Sequence, residues 1–361
     1  MQDSSISNLK DYNRKISQAI DKRLGVFYDA KIREAKKIDP IYATLLGDMK
    51  KFILRGGKRL RPTLMVMGYE ASGGRDVEMA LDAALSLEIF HNFVLIHDDV
   101  MDGDLRRYGG ANITGIYDKR FQRRLKPELA RHTAESIAIL AGELNEFFTF
   151  EVLSSLKADP KVVFDLMAHF QKTLFETGAG QQLDVMSSVR ANLNLKSIEK
   201  VNYYKTAQYT ITSPLRMGLI LTGGDSGLMD GFTKFGAELG KAFQLADDLL
   251  GMFGSTRQIG KPVGSDIREG KQTLLMYYAK KLCTPGQWRT IESRFGRDSI
   301  DTSDVKIVRE ILKECGAQAK VAVAADDHLR SSLKIIDGLK ITEPHKKLFR
   351  EFAYYCVQRK K

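Results

Sequence analysis

The chain has 361 residues, 43% of them hydrophobic, which is enough to bury a full core as one large domain. Three scattered cysteines, Cys283, Cys315 and Cys356, form neither a disulfide framework nor a zinc pattern, and they suit a reducing compartment. The net charge of +11 is spread along the chain with no nucleic-acid module or basic–aromatic alternation, so nucleic-acid binding is set aside.

The first residues lack the basic-then-apolar layout of a secretion signal. The best apolar runs, such as 93–96 and 217–221, read as too short to cross a bilayer. A cytoplasmic, non-transmembrane protein is therefore expected. Helical periodicity dominates. Ile41, Leu45, Met49, Phe52 and Ile53 follow the 3.6-residue rule, and so do Leu81, Ala84, Leu85, Ile89 and Phe93. Val305, Val308, Ile311 and Leu312 share a stripe that predicts one helix over 305–333. Short polar breaks fall at Gly56-Gly57, 72–74, 157–160, Gly223-Gly224 and 284–286. The pattern predicts a single all-α domain over 1–361, a helical bundle around a central apolar cavity. Its core motifs lie in 40–280 and its C-terminal helices in 300–361.

The first chemical element is Gly56-Gly57-Lys58-Arg59-Leu60-Arg61-Pro62. Two glycines end one helix, and Pro62 suits the first position of the next. Lys58 and Arg61 are thereby expected at a helix start, where free N–H groups and the dipole favour an anion. Taken alone, the segment is better read as a tight turn with solvated charges.

An apolar helical run then ends in Asp98-Asp99-Val100-Met101-Asp102, with Arg106-Arg107 just beyond. Asp98 and Asp102 stand four apart and project from one helix face, where like charges repel each other and oppose the dipole. Something cationic is needed there. Oxygen ligands alone suit a hard ion such as Mg²⁺ bridging carboxylates to phosphates, and Arg106 and Arg107 suit bidentate phosphate contacts. His91 and His97 are off chelating spacing. His97 reads as a hydrogen-bonded structural residue, and His91 as one that could face the cavity.

Farther on, Gly180-Gln181-Gln182-Leu183-Asp184 lies in a helical run, and Lys205-Thr206 in a helix beginning near Ile198. Gln244, Asp247 and Asp248 share one helix face. A glycine-punctuated basic loop over 260–273, carrying Lys261, follows directly and reads as a phosphate-facing lid. Asp326-Asp327 has no such loop behind it and reads as solvated surface.

Together these segments resemble the trans-type prenyl diphosphate synthases, the family that includes farnesyl and geranylgeranyl diphosphate synthases. The landmarks are GGKRLRP (56–62), HDDVMD with two arginines (97–107), GQQLD (180–184), KT (205–206), FQLADD (243–248) and GKPVGSDIREGKQT (260–273). They occur in the family's order, and six in order are very specific. Three departures stand out. Gly251 takes the place of a third aspartate in the second motif. The Asp102–Arg106 spacing is one residue short, with Tyr108 interrupting the usual Arg-Arg-Gly. Residues 118–132 look like a basic insertion.

The resemblance implies an all-α fold, a likeness to homodimers, and Mg²⁺ held by Asp98, Asp102 and Asp247 with Asp248 nearby. It implies that Lys205, Lys261 and Arg106 neutralise the leaving allylic diphosphate, while Gln244 and Thr206 face the allylic cation. Isopentenyl diphosphate would be held by Lys58, Arg61, His91 and Arg107. Phe93 and Val94, five and four residues before Asp98, with Phe90 behind them, would set product length. A phenylalanine at the fifth position alone resembles enzymes making the C20 geranylgeranyl product, with C15 or longer chains as the alternatives. The basic insertion is read first as solvated loop, and second as a surface drawing diphosphates or touching anionic lipid. A terpene cyclase and a non-catalytic subunit of a heteromeric synthase are the other readings.

Overall fold

A computed structural model describes residues 8–189, 194–254, 263–297 and 299–358, and they are overwhelmingly helical. In chain order they form α1 (Leu9–Ile38), α2 (Pro40–Leu54), α3 (Leu60–Ala71), α4 (Val77–Met101), the two-residue strands β1 (Arg106–Arg107) and β2 (Gly110–Ala111), α5 (Ile113–Phe121), α6 (Pro127–Ser154) and α7 (Pro160–Val189). Then come α8 (Leu195–Val201), a π-helix (Asn202–Thr212), α9 (Ser213–Ile220), α10 (Ser226–Phe253), α11 (Ser265–Arg268), α12 (Leu274–Leu282), α13 (Pro285–Glu292), α14 (Thr302–Glu314), α15 (Ala317–Gly338) and α16 (Glu343–Val357). The all-α expectation holds.

The chain divides into two compact units, Met1–Ala168 with Ile220–Gly223, and His169–Leu219 with Gly224–Lys361. In the first, α4 packs against α6 and α3, and α1 against α2. Its core is filled by Tyr28, Phe52, Phe90, Leu24 and Met49, all essentially inaccessible to solvent. The Tyr28 hydroxyl is not wasted there, because it donates to the Asn145 side chain. In the second unit α10 packs against the π-helix and α15. Phe232 and Phe235 meet Phe349 there. A further cluster of Leu245, Met252, Ile267, Leu275, Val308 and Leu312 fixes the short helices that follow the second acidic motif.

Several expectations need correction. The stripe over 305–333 is two helices, because Gly316 adopts a left-handed φ of 82° and starts a new one. Pro62 is the third residue of α3, not its first, since Arg59 caps the helix in a left-handed conformation. Ile41 is 80% exposed, although Leu45, Met49, Phe52 and Ile53 are buried as the period requires. Residues 118–132 are mostly helix, leaving only a short turn between α5 and α6. Finally, α4 is long and apolar enough to cross a membrane by length and composition, but 72% of its most apolar window is buried inside the protein. Its hydrophobicity is that of a core helix.

Candidate active site

The first unit gathers cationic groups around the end of α2 and the inward face of α4. Arg59, wholly buried, bonds Glu88 at 2.7 Å, Asp21 at 2.8 Å and the Ile53 carbonyl at 2.7 Å. A buried guanidinium needs this full set of partners, so Arg59 is a structural post and not a substrate ligand. Gly57 must be glycine. Its φ is +126°, and a Cβ there would lie 2.9 Å from an Arg59 nitrogen. Arg59 thus holds in place the turn that carries Lys58, which is exposed, and Arg61, which is half-buried.

His91 lies beside this cluster. Burial, then the charges of Arg61, Arg107 and Arg59, hold its imidazole well below the usual range, so it is neutral at neutral pH. A neutral histidine among arginines can donate one hydrogen bond to an anion without adding repulsion. Asp98 and Asp99 close α4, and Asp102 caps it. Asp99 is buried and receives the Arg107 Nε at 2.7 Å, while Asp98 lies 3.5 Å from the same guanidinium. Asp99 was not among the residues expected to bind an ion, and the structure gives it a different role, which is to anchor Arg107.

Arg106 and Arg107 form one strand of a minimal hairpin, paired with Ala111 and Gly110. Tyr108 and Gly109 are its two loop residues, with φ of 53° and 73°, the signature of a type I′ turn. The tyrosine that breaks the Arg-Arg-Gly pattern is therefore a turn residue. Arg106 donates to the Gly109 carbonyl at 3.0 Å, and its side chain is exposed. His97 is structural as expected: its Nε2 meets the Ile139 carbonyl at 3.0 Å. Phe93 packs on His97 with ring centroids 4.8 Å apart, and on Phe90 at 5.6 Å. Phe90 is sealed in the core, whereas Phe93 and Val94 are only partly covered.

The second unit gathers carboxylates. Gln244 donates to Asp248 at 2.7 Å, one turn apart on α10. Asp248 is buried and Asp247 exposed. Burial, then the charges of Asp266, Asp247 and Asp184, push the Asp248 carboxyl well above the usual range, with the Gln244 bond opposing them. Its second oxygen has no hydrogen-bond partner among the described residues. Three further acids acting on one buried carboxyl make a setting that favours a cation. Among the described residues no three acid, histidine or cysteine side chains are grouped so as to hold an ion by themselves. Asp266 was not singled out from the sequence. Its carboxylate lies 3.6 Å from where a Cβ at Gly251 would stand, so the space beside that glycine already holds an acid.

Lys205 is ion-paired with Asp184. It and Thr206 lie in the helical run expected there, which is wound as a π-helix over Asn202–Thr212. π-Helical segments are rare and concentrate at functional sites. Gly180 lets α7 approach this segment, since a Cβ there would come within 2.3 Å of the Lys205 backbone nitrogen. Lys261 lies outside the described residues.

The polyprenyl synthetase family pattern matches residues 43–312. A geranylgeranyl diphosphate synthase of Saccharolobus solfataricus is 30% identical over 311 residues, covering 85% of this chain and 87% of that protein. A short chain isoprenyl diphosphate synthase of Methanocaldococcus jannaschii is 29% identical over 320 residues, covering 86% and 85%. Among solved structures, a geranylgeranyl pyrophosphate synthase of Corynebacterium glutamicum, complexed with isoprenyl diphosphate and magnesium, superposes with a TM-score of 0.91 at 29% identity. The match covers 96% of this chain and 99% of that one.

Proposed function

This chain belongs to the polyprenyl synthetase family, and from that premise we propose that it couples isopentenyl diphosphate to allylic diphosphates, with the C20 geranylgeranyl product predominating. The observation that carries the reading is the presence in one chain of two charge assemblies of opposite sign: the Arg61, Arg107 and His91 group, and the acids around Asp248. One binds anions, and the other calls for a cation.

Mg²⁺ is the fitting ion, with Asp98, Asp102, Asp247 and Asp248 as its holders, and when bound it supplies Lewis-acid neutralisation of a departing diphosphate. The chain's own residues do the rest. Lys205, Lys261 and Arg106 add positive charge at the allylic diphosphate. Lys58, Arg61, His91 and Arg107 hold isopentenyl diphosphate. Gln244 and Thr206 offer partial negative charge to the electron-poor allylic carbons. The apolar face of α4 excludes water from that cation. No side-chain nucleophile is required.

The two units serve as one catalytic domain, a reading supported by the matched span running through both. Thiol cysteines throughout suit a cytoplasmic setting. Exposed Lys119, Arg123, Arg124 and Lys126 support a weak contact with anionic membrane surfaces. Leu129, Leu140 and Phe147 form an apolar stripe on α6, each more than half exposed, and that unpartnered face supports a homodimer.

Incubation of the purified protein with isopentenyl diphosphate, Mg²⁺ and each allylic primer, followed by product-length analysis, tests the reading. C20 should dominate, and Asp98→Ala or Asp102→Ala should cut turnover by about 10²-fold or more with the helical fold retained. Near-normal activity in Asp98→Ala, or no consumption of isopentenyl diphosphate by the parent protein, would refute it.

A further inference from the structure

Two non-glycine residues among those described adopt a left-handed backbone conformation, Arg59 at 49° and Tyr108 at 53°. Such a conformation is strained for a bulky aromatic residue, and glycine or asparagine would fill the first loop position of a type I′ turn without strain. Strain of this kind persists where the surroundings impose it, and it concentrates at functional sites. For Arg59 the reason is its buried ion pairs. Tyr108 has no such pairs.

What holds Tyr108 is its ring. The Cγ lies 3.2 Å from where a Cβ on Gly56 would stand, so the side chain packs closely against Gly56, in the turn leading to Lys58 and Arg61. It also meets Phe52, with centroids 6.4 Å apart and planes tilted by 45°. Nearby, Arg55 donates to the Ala111 carbonyl at 2.6 Å. The hairpin with Arg106 and Arg107 is thereby pinned to the turn with Lys58 and Arg61. Tyr108 is also 37% exposed, and its hydroxyl has no hydrogen-bond partner among the described residues.

On the prenyltransferase reading above, we propose that Tyr108 is a substrate-contacting residue, its hydroxyl donating to the diphosphate of isopentenyl diphosphate beside Arg61 and His91, while its ring keeps the two diphosphate-binding loops in register. The phenol is suited to donate. Burial and the Glu88 carboxylate raise its pKa, against the pull of Arg107, Arg61 and Arg59, so it keeps its proton at working pH. A glycine at 108 would relieve the turn but would supply neither the ring nor the donor.

Steady-state kinetics on Tyr108→Phe and Tyr108→Ala separate the two roles. Tyr108→Phe keeps the ring contact and removes one donor to a charged group, so the KM for isopentenyl diphosphate should rise about tenfold. Its kcat and allylic KM should stay within about twofold. Tyr108→Ala should raise that KM further and lower kcat, because the loops lose register. An unchanged isopentenyl KM in Tyr108→Phe would overturn the hydroxyl contact, and an equal rise for both substrates would overturn its assignment to isopentenyl diphosphate. An unchanged Tyr108→Ala would overturn the ring's role. A parent protein that never consumes isopentenyl diphosphate would instead refute the underlying reading.

Discussion

At the scale of single residues, several polar groups lie buried away from the proposed chemistry, and their partners explain them. His169 Nε2 meets the Ser213 hydroxyl at 3.0 Å, and Thr173 donates to the same oxygen at 3.0 Å. Burial, then the Arg216 charge, push the His169 imidazole down to about 3. Its folded value is below the unfolded one, so its contribution is fully present above the ordinary histidine pKa of about 6.5 and is lost as pH falls. At pH 5 the protein should have lost about 2 kcal/mol to this group. His169→Gln should flatten the decline in urea-unfolding stability between pH 7 and 5, whatever its effect at pH 7. An unchanged slope would mean that the imidazole is not held neutral. Asp326 makes the opposite case: it is half exposed, pairs with Arg330 at 2.9 Å and reads as plain surface.

At the scale of elements, α4 carries both the first acidic motif and the proposed ruler for product length. With a rise of 1.5 Å per residue, Val94 and Phe93 lie roughly 6–8 Å from Asp98, and Phe90 roughly 12 Å. Phe93 is partly open, so Phe93→Ala should shift products beyond C20 with little loss of stability. Phe90 is sealed in the core, and Phe90→Ala should cost about 3–5 kcal/mol as well. The double variant should lengthen products further, as chromatography of the hydrolysed prenols would show. If length is unchanged in a folded double variant, another helix sets it. The π-helix is the other element of consequence. Gly180 on α7 and Gly240 on α10 both press against it, at Lys205 and Ala207, so neighbours on two sides define the local winding.

At the scale of the whole molecule, the exposed stripe of α6 is an apolar feature that the core does not explain. Leu129, Leu140 and Phe147 fall 11 and 7 residues apart, which returns to one helical face. A stable dimer needs about 800 Å² covered per partner, with large apolar side chains near its centre. Leu140→Asp combined with Phe147→Asp should therefore convert a dimer to a monomer in light scattering. A parent protein that is monomeric at micromolar concentration would leave the stripe without this role. Not every basic residue of 118–132 is free to act on a partner. Arg120 is bound to Asp48 at 2.9 Å and Arg131 to Glu135 at 2.6 Å, while Lys119, Arg123, Arg124 and Lys126 remain on the surface.

The helical class, several breaks between helices and the two aspartate motifs were legible in the sequence because each is a local pattern. The 3.6-residue stripe of α14 and the Asp98–Asp102 spacing are examples, and so is the polar break at 284–286 where α13 starts. Chemistry that depends on one segment meeting another was not legible. Nothing near Asp99 in the chain says that Arg107 will claim it, and nothing near Arg59 announces Glu88 and Asp21. The sequence shows Gly251 only as a glycine in place of an aspartate and Tyr108 only as an interruption; packing puts Asp266 beside the one and seats the other in a turn against Gly56. Burial decides these cases. Taking a charged or strained group out of water forces it onto a specific partner, and which partner is within reach is a property of the packed chain, not of the local sequence.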